Sequence, residues 1–285
     1  MTISKRFVRL KEQSSSSEFW EPTERHLELS DGTLEQKRYG FTLDSNRFIE
    51  TGVPIKEDLQ SIFVLGDSFV ESTFADPEVR FVAQAARLIP EANVFNAGYS
   101  GTTTLQLLTV LINKIAGLAK SGDVVVICLP MSDGSALLES GHYWNASERY
   151  APLVPGVQGQ PSSWAEDVVP LLSTAFHFCR ALGLEVLLVV SPFRKADFST
   201  EGWFRAMYKR NRANYERKKE IMERLQEDAR AVAAREGVPV LDLEKLVASE
   251  AENFYDELHL NVRGQNKVSE MLAGFIRESE VLAAS

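Results

Sequence analysis

Cysteine is scarce in this 285-residue chain, limited to Cys128 and Cys179, each inside an apolar run (VVVICLP and TAFHFCRAL). Two cysteines so placed make no disulfide framework and read as buried free thiols. The four histidines, His26, His142, His177 and His259, are widely scattered, and no Cys/His spacing suits zinc, so no metal is expected. Neither G-x-G-x-x-G nor G-x-x-x-x-G-K-[ST] occurs, which removes the usual phosphate cradles and predicts no nucleotide cofactor. No window approaches 18 uninterrupted apolar residues, so no membrane partner is expected. The opening MTISKRFVRLKEQSSSSEFW lacks an apolar h-region and a small-residue cleavage site, which predicts a cytoplasmic protein. Basic charge is also short. Lys and Arg number 31 against 40 Asp and Glu, a net charge of −9, and nucleic-acid binding would need a basic footprint.

What is present is ordinary globular composition, 44% hydrophobic and 25% charged, in a chain long enough to bury a large core without staples. Residues 1–58 read as an N-terminal extension. Its first 35 or so residues look irregular and include the Ser14–Ser17 run. Lys37–Glu50 (KRYGFTLDSNRFIE) alternates large and polar residues around Asp44-Ser45-Asn46, as a β-hairpin lead-in would.

Residues 59–285 alternate apolar strands with amphipathic helices. Strands are predicted at Ser61–Gly66, Asn93–Ala97, Asp123–Pro130, Leu184–Ser191 and Val238–Leu243. The longest are continuous aliphatic runs, the pattern of strands buried on both faces of a parallel sheet. Asp76-Pro77 predicts a helix through Ile89, followed by helices over Thr103–Lys120, Trp164–Leu182, Phe204–Glu236 and Gly264–Ser279. The order is that of a doubly wound α/β sheet, whose ligands bind at the carboxyl ends of its strands.

The first strand ends in Gly66-Asp67-Ser68, with Ser68 at a strand-to-helix turn where following N–H groups can stabilise negative charge. Asp256-Glu257-Leu258-His259 lies just before the last helix, and D-x-x-H spacing can bring a carboxylate to one imidazole nitrogen while the other faces a serine. Alone, each motif is short enough to arise by chance, and each has a plain structural reading as a helix cap or a surface turn. Together with Asn96-Ala97-Gly98-Tyr99-Ser100-Gly101 and Pro130-Met131-Ser132-Asp133, they place four polar segments at carboxyl ends of strands. Ser100 competes as nucleophile, but Gly98-Tyr99-Ser100-Gly101 misses the G-x-S-x-G elbow by one position.

In this order the blocks resemble the SGNH (GDSL-type) hydrolases, in FVLGDSFVEST and YDELHLNVRGQNKVSEML above all. The resemblance covers residues 61–281. It implies a three-layer α/β/α, flavodoxin-like sandwich around a mainly parallel five-stranded sheet. It further implies Ser68 as nucleophile, His259 as general base, Asp256 as its orienting carboxylate, and the N–H groups of Ser68 and Gly101 as oxyanion donors. The family's third oxyanion donor is an Asn in G-x-N-D. Here Ser132 stands in its place and Pro130 replaces the Gly, so Ser132 is the candidate third donor with a shorter reach. Losing such a donor costs about 10²–10³ in kcat.

Gly134–Ser163 is long, turn-rich and aromatic, and suits a substrate wall; His142, Tyr143 and Trp144 are its candidate contacts, against the plain reading of a surface loop. Lys209, Arg210, Arg212, Arg217, Lys218 and Lys219 form a basic stretch that could dock an acidic carrier protein, although a solvated helix face is the simpler account. Asp242 reads as structural. The leading expectation is an esterase or deacylase acting on an ester of a small molecule or saccharide without cofactor. The alternatives are an O-acyltransferase with the same triad and a non-catalytic binding protein on the same fold.

Overall fold

A computed structural model of the chain describes residues 18–143 and 164–282. The elements run in order β1 (Glu18–Trp20), α1 (Glu24–Glu28), β2 (Tyr39–Phe41), β3 (Ser61–Gly66), α2 (Ser68–Glu71), α3 (Phe81–Leu88), β4 (Asn93–Gly98), α4 (Thr104–Asn113), β5 (Val124–Cys128), α5 (Ser132–Ser140), α6 (Trp164–Ala181), β6 (Glu185–Val190), α7 (Gly202–Met207), α8 (Arg212–Glu236), β7 (Val240–Asp242), α9 (Leu243–Val247) and α10 (Val262–Glu278). β3 to β7 form one parallel sheet in the order β4-β3-β5-β6-β7. Every residue of β5 is buried, as its VVVIC sequence requires of a central strand covered on both faces.

Each face of the sheet carries its own core. Phe63, Leu65, Val125 and Ile127 pack with Leu107, Leu111, Leu172, Phe176 and Leu225 of α4, α6 and α8. The alternate residues Ile62, Val64, Val124 and Val126 pack with Phe81, Val82 and Ala85 of α3 and Val268, Leu272 and Ile276 of α10. This is the three-layer α/β/α sandwich expected from the sequence. α10 shows how local sequence builds it. Asn261 caps the helix by accepting from the Gly264 N–H, and its apolar residues recur at Val268, Leu272 and Ile276, a four-residue interval that keeps one face on the sheet. The strand order turns back around β3, so a crevice opens between the carboxyl ends of β3 and β5.

Three helix expectations are corrected. The helix expected from Asp76 begins only at Phe81, because the Asp76 carboxylate is held by Lys37 at 2.8 Å and does not cap it. The Phe204–Glu236 helix is broken into α7 and α8, with Lys209 and Arg210 at φ 52° and 58° between them. The first seven residues of the expected Gly134–Ser163 loop are helical, in α5. Gly134 lets α5 approach α8 closely, since a Cβ there would lie 2.0 Å from the Met222 sulfur.

In the N-terminal segment β1 pairs antiparallel with β2, and Trp20 packs on Phe41 with ring centroids 4.1 Å apart. The expected hairpin survives as a tight turn. Asp44 accepts from the Arg47 N–H, Leu43 bridges Ile49, and the Ile49 N–H donates to Asn96 of β4 at 3.0 Å. The segment is therefore hydrogen-bonded to the edge of the main sheet. No described helix is long and apolar enough to cross a membrane, and both cysteines are buried and free.

Candidate active site

β3 delivers Gly66, and the chain turns directly into α2. Asp67 caps that turn by accepting from the Phe69 N–H at 3.1 Å, and this leaves Ser68 as the first helical residue at the crevice. On the other side, Phe254 bridges Leu260 and the Tyr255 N–H donates to the His259 carbonyl, closing a tight loop over Asp256–His259. Within it, Asp256 Oδ1 accepts from the N–H groups of Leu258 and His259 at 2.8 and 2.7 Å. Its Oδ2 lies 2.7 Å from His259 Nδ1, and His259 Nε2 lies 2.8 Å from Ser68 Oγ. Two motifs 191 residues apart in sequence thus meet in one hydrogen-bonded line. The Tyr255 ring stacks on the imidazole, with centroids 5.5 Å apart and planes within 9°, and limits its tilt.

The electrostatics of this line are internally consistent. Burial alone would raise the Asp256 carboxyl, but the His259 imidazole and the hydrogen bonds it accepts prevail and hold it below its ordinary value. Burial alone would likewise lower His259, yet the facing Asp256 charge and hydrogen bond raise it above 6.5. An ionised Asp256 fixes the Nδ1–H tautomer, which leaves Nε2 able to accept from Ser68.

Ser68 and His259 open onto a cavity of about 840 Å³. Gly101 also lines it, in a left-handed conformation (φ 66°) that glycine tolerates and that follows the end of β4. Among the described residues, neither the Ser68 nor the Gly101 N–H is taken by another hydrogen bond. Ser132 lines the cavity too, but its position differs from the expectation. Its N–H and its hydroxyl both donate to Asp67 Oδ2, at 2.9 and 3.0 Å, so the hydroxyl is committed to a buried carboxylate. Ser100, the competing nucleophile, is bound to Glu71 through both its N–H and its hydroxyl, with no imidazole among its partners.

The proposed substrate contacts are corrected in part. Neither His142 nor Tyr143 is among the described residues lining the cavity. α5 ends at Gly141 in a left-handed cap (φ 77°), after which Tyr143 enters the core, 1% exposed, with its side chain near Asp133. Trp144 lies outside the described residues. Asp133 ties the end of β5 to the start of α4, accepting from the Thr104 N–H and hydroxyl at 2.8 and 2.5 Å; burial pushes it up to about 7. Asp242 is structural, as expected, held by Arg230 through two bonds of 2.8 and 2.9 Å.

Three features of the cavity went unread in the sequence. The Asp67–Ser132 pair joins two motifs taken separately. Glu257 is buried beside the Asp256–His259–Ser68 line and accepts from Lys218 and Tyr208, so one member of the basic stretch is an internal partner. Finally, Trp20, His26, Leu29 and Leu34 of the N-terminal segment line the cavity. Among the described residues no cluster of three or more His, Cys, Asp and Glu is arranged to hold a metal ion.

Comparison with known proteins agrees with this geometry. The profile of the GDSL-like lipase/acylhydrolase family matches residues 64–267, well over half the chain, and the protein belongs to that family. It is a serine hydrolase acting on esters. Comparison with curated protein sequences finds no match. Among solved structures, a lipase/acylhydrolase from Enterococcus faecalis is similar with a TM-score of 0.53 and 20% identity, covering 80% of this chain and 99% of that one. An acetylxylan esterase from Geobacillus stearothermophilus gives a TM-score of 0.53 and 13% identity over 79% of this chain and 97% of its own. A GDSL-like lipase from Bacteroides thetaiotaomicron gives 0.53 and 13% over 79% and 91%. At these identities the likeness is one of fold.

Proposed function

We propose that the protein hydrolyses a carboxylic ester of a small molecule or saccharide through a Ser68–His259–Asp256 triad and an acyl-enzyme. The observation that carries this reading is the continuous Asp256–His259–Ser68 hydrogen-bonded line opening onto the cavity. Ser68 Oγ attacks the ester carbonyl while His259 Nε2 takes its proton. The carbonyl oxygen becomes an oxyanion that accepts from the Ser68 and Gly101 N–H groups. The intermediate collapses, the C–O bond to the alcohol breaks, and His259 returns the proton to the departing oxygen. Water, deprotonated by the same imidazole, attacks the acyl-enzyme and releases the acid and free Ser68. Asp256 keeps its charge throughout and stabilises the imidazolium. Acetylated saccharides fall within this substrate range, and the acetylxylan esterase neighbour supports their use as first substrates.

Ser68→Ala is expected to abolish ester turnover while the circular-dichroism spectrum and melting temperature stay close to wild type. A small fluorophosphonate is expected to form one adduct, on Ser68, and to react more slowly with His259→Ala. Turnover retained by a folded Ser68→Ala protein would overturn the assignment.

Transfer of the acyl group to an alcohol acceptor would use the same groups, and the cavity volume of about 840 Å³, room for acceptor and acyl-enzyme together, favours keeping that reading. Product formation that requires an added alcohol would distinguish it. The assembled triad weighs against a purely binding role. Carrier-protein docking draws little support, because Arg212 and Lys219 pair with Glu216 and Glu223 on their own helix and Lys218 is buried. The cytoplasmic setting expected from the N-terminal sequence belongs to the same proposal.

A further inference from the structure

Residues 18–43 lie outside the 64–267 stretch that carries the family match, yet they build one wall of the cavity. The wall is anchored to the catalytic loop itself: the Asp31 N–H donates to the Tyr255 carbonyl at 2.8 Å, and Arg194 holds the Asp31 carboxylate at 3.1 Å. A ladder of rings then runs from this wall to the triad. His26 meets Phe74 edge-on at 5.0 Å, Phe74 lies 6.5 Å from Tyr255, and Tyr255 stacks on His259.

This placement assigns a side of the substrate. In ester cleavage the oxyanion must face the Ser68 and Gly101 N–H groups, whereas the departing alcohol oxygen must come within reach of His259 Nε2 to receive its proton. The alcohol half of the ester therefore lies on the His259 side of the cavity, whose lining includes Tyr255, Phe74 and His26 of the ring ladder. There the tautomer of His26 is set by its helix. The Thr23 N–H donates to His26 Nδ1 at 3.0 Å as part of the α1 capping box, so the neutral ring carries its proton on Nε2, at the edge away from the cap. Trp20 adds an aromatic surface, and Lys209, Asn214 and Glu139 supply polar groups elsewhere around the cavity. An aromatic surface beside hydrogen-bonding groups suits an alcohol with one apolar ring face and several oxygens.

We infer that the N-terminal segment is the alcohol-side specificity wall, with Trp20 packing on a saccharide-like alcohol and His26 Nε2–H donating to one of its oxygens. The inference rests on the ester-hydrolase reading above and adds to it which residues choose the leaving group.

The test compares two esters with the same acyl group, methyl acetate and a mono-O-acetylated methyl glycoside, so that only the alcohol differs. His26→Ala keeps a good helix former whose backbone N–H can still donate to the Thr23 hydroxyl, and removes the ring with its Nε2–H. The ratio of kcat/KM for the glycoside ester over methyl acetate is expected to fall about three- to tenfold in His26→Ala, chiefly through KM, as loss of one neutral hydrogen bond predicts. The fall should exceed about tenfold in His26→Ala/Trp20→Ala, where the packing surface is lost as well. Fluorophosphonate labelling of Ser68 is run on each variant. A ratio within twofold of wild type in the labelled double variant would overturn the wall while leaving the hydrolase reading intact. A wild-type protein that neither labels nor turns over either ester would overturn that reading, and the wall with it.

Discussion

Two aspartates flank Ser68, Asp67 buried and Asp256 half-buried, and they behave in opposite ways. Asp67 accepts from the Phe69 N–H, the Ser132 N–H and the Ser132 hydroxyl. Asp256 accepts from the Leu258 N–H, the His259 N–H and the His259 imidazole. The number of bonds is the same, yet Asp67 is raised above its ordinary value by burial and Asp256 is held below it. The difference is the partner. Neutral donors reduce the cost of a buried carboxylate without cancelling it, whereas an imidazole that can take a proton offers a countercharge. One aspartate is thus set up to organise the turn that carries Ser68, and the other to hold a positive charge when His259 acquires one.

The largest effect expected from breaking this contrast is at Asp256. Asp256→Asn removes the countercharge and lets the imidazole adopt the wrong tautomer, and kcat for ester hydrolysis should fall on the order of 10⁴. The pH profile should move with it. In the wild type His259 is raised above 6.5, so kcat/KM should climb with pH through a midpoint above 6.5 as the imidazolium loses its proton. Residual activity of Asp256→Asn should titrate at a lower midpoint. An unchanged midpoint would mean that Asp256 does not set the basicity of His259.

A smaller effect, of opposite sign, is expected at Ser132. The hydroxyl is spent on Asp67, which in the proposed mechanism leaves the Ser68 and Gly101 N–H groups as the oxyanion donors. Ser132→Asn offers a longer side chain from the same position and should raise kcat by about tenfold or more, within the range that one oxyanion donor supplies. A loss of kcat in a folded Ser132→Asn protein would show that the bond to Asp67, which steadies the Ser68 turn, matters more than a third donor.

The sheet and its helices were legible in the sequence because aliphatic runs such as VVVIC and glycines at helix ends are local signals of burial and termination. The meeting of Ser68 with His259 was legible for a related reason. Strand ends in a doubly wound fold share one edge, so GDS and D-x-x-H could be placed together without coordinates. What stayed hidden depended on pairings between distant segments. Lys218 reads as one charge of a basic stretch until Glu257 is brought against it, and Tyr143 reads as a loop aromatic until the turn at Gly141 carries it into the core. His26 sits in a short capped helix, and nothing in TERH shows that Phe74 and Tyr255 lie between it and His259.

The finest separation of the two aspartates is a stability measurement. A carboxyl raised in the folded state binds its proton more tightly there than in the unfolded chain, so its contribution to stability declines as pH rises from the ordinary value of 3.8 towards the raised one. Asp67→Asn removes that titration while keeping an acceptor oxygen for the Phe69 or Ser132 N–H. Its melting temperature relative to wild type should therefore increase between pH 4 and pH 7, whatever the absolute difference at pH 4. Asp256→Asn should show a drift of the reverse sense and only below about pH 4, because its parent carboxylate is lowered in the fold and contributes stability that is lost as pH falls below its ordinary value of 3.8. The Asp67 charge also helps to raise His259, so Asp67→Asn should shift the activity midpoint downward, but by less than Asp256→Asn. Parallel drifts in the two variants would mean that the two carboxylates are equivalent, and that the imidazole facing Asp256 does not decide its charge.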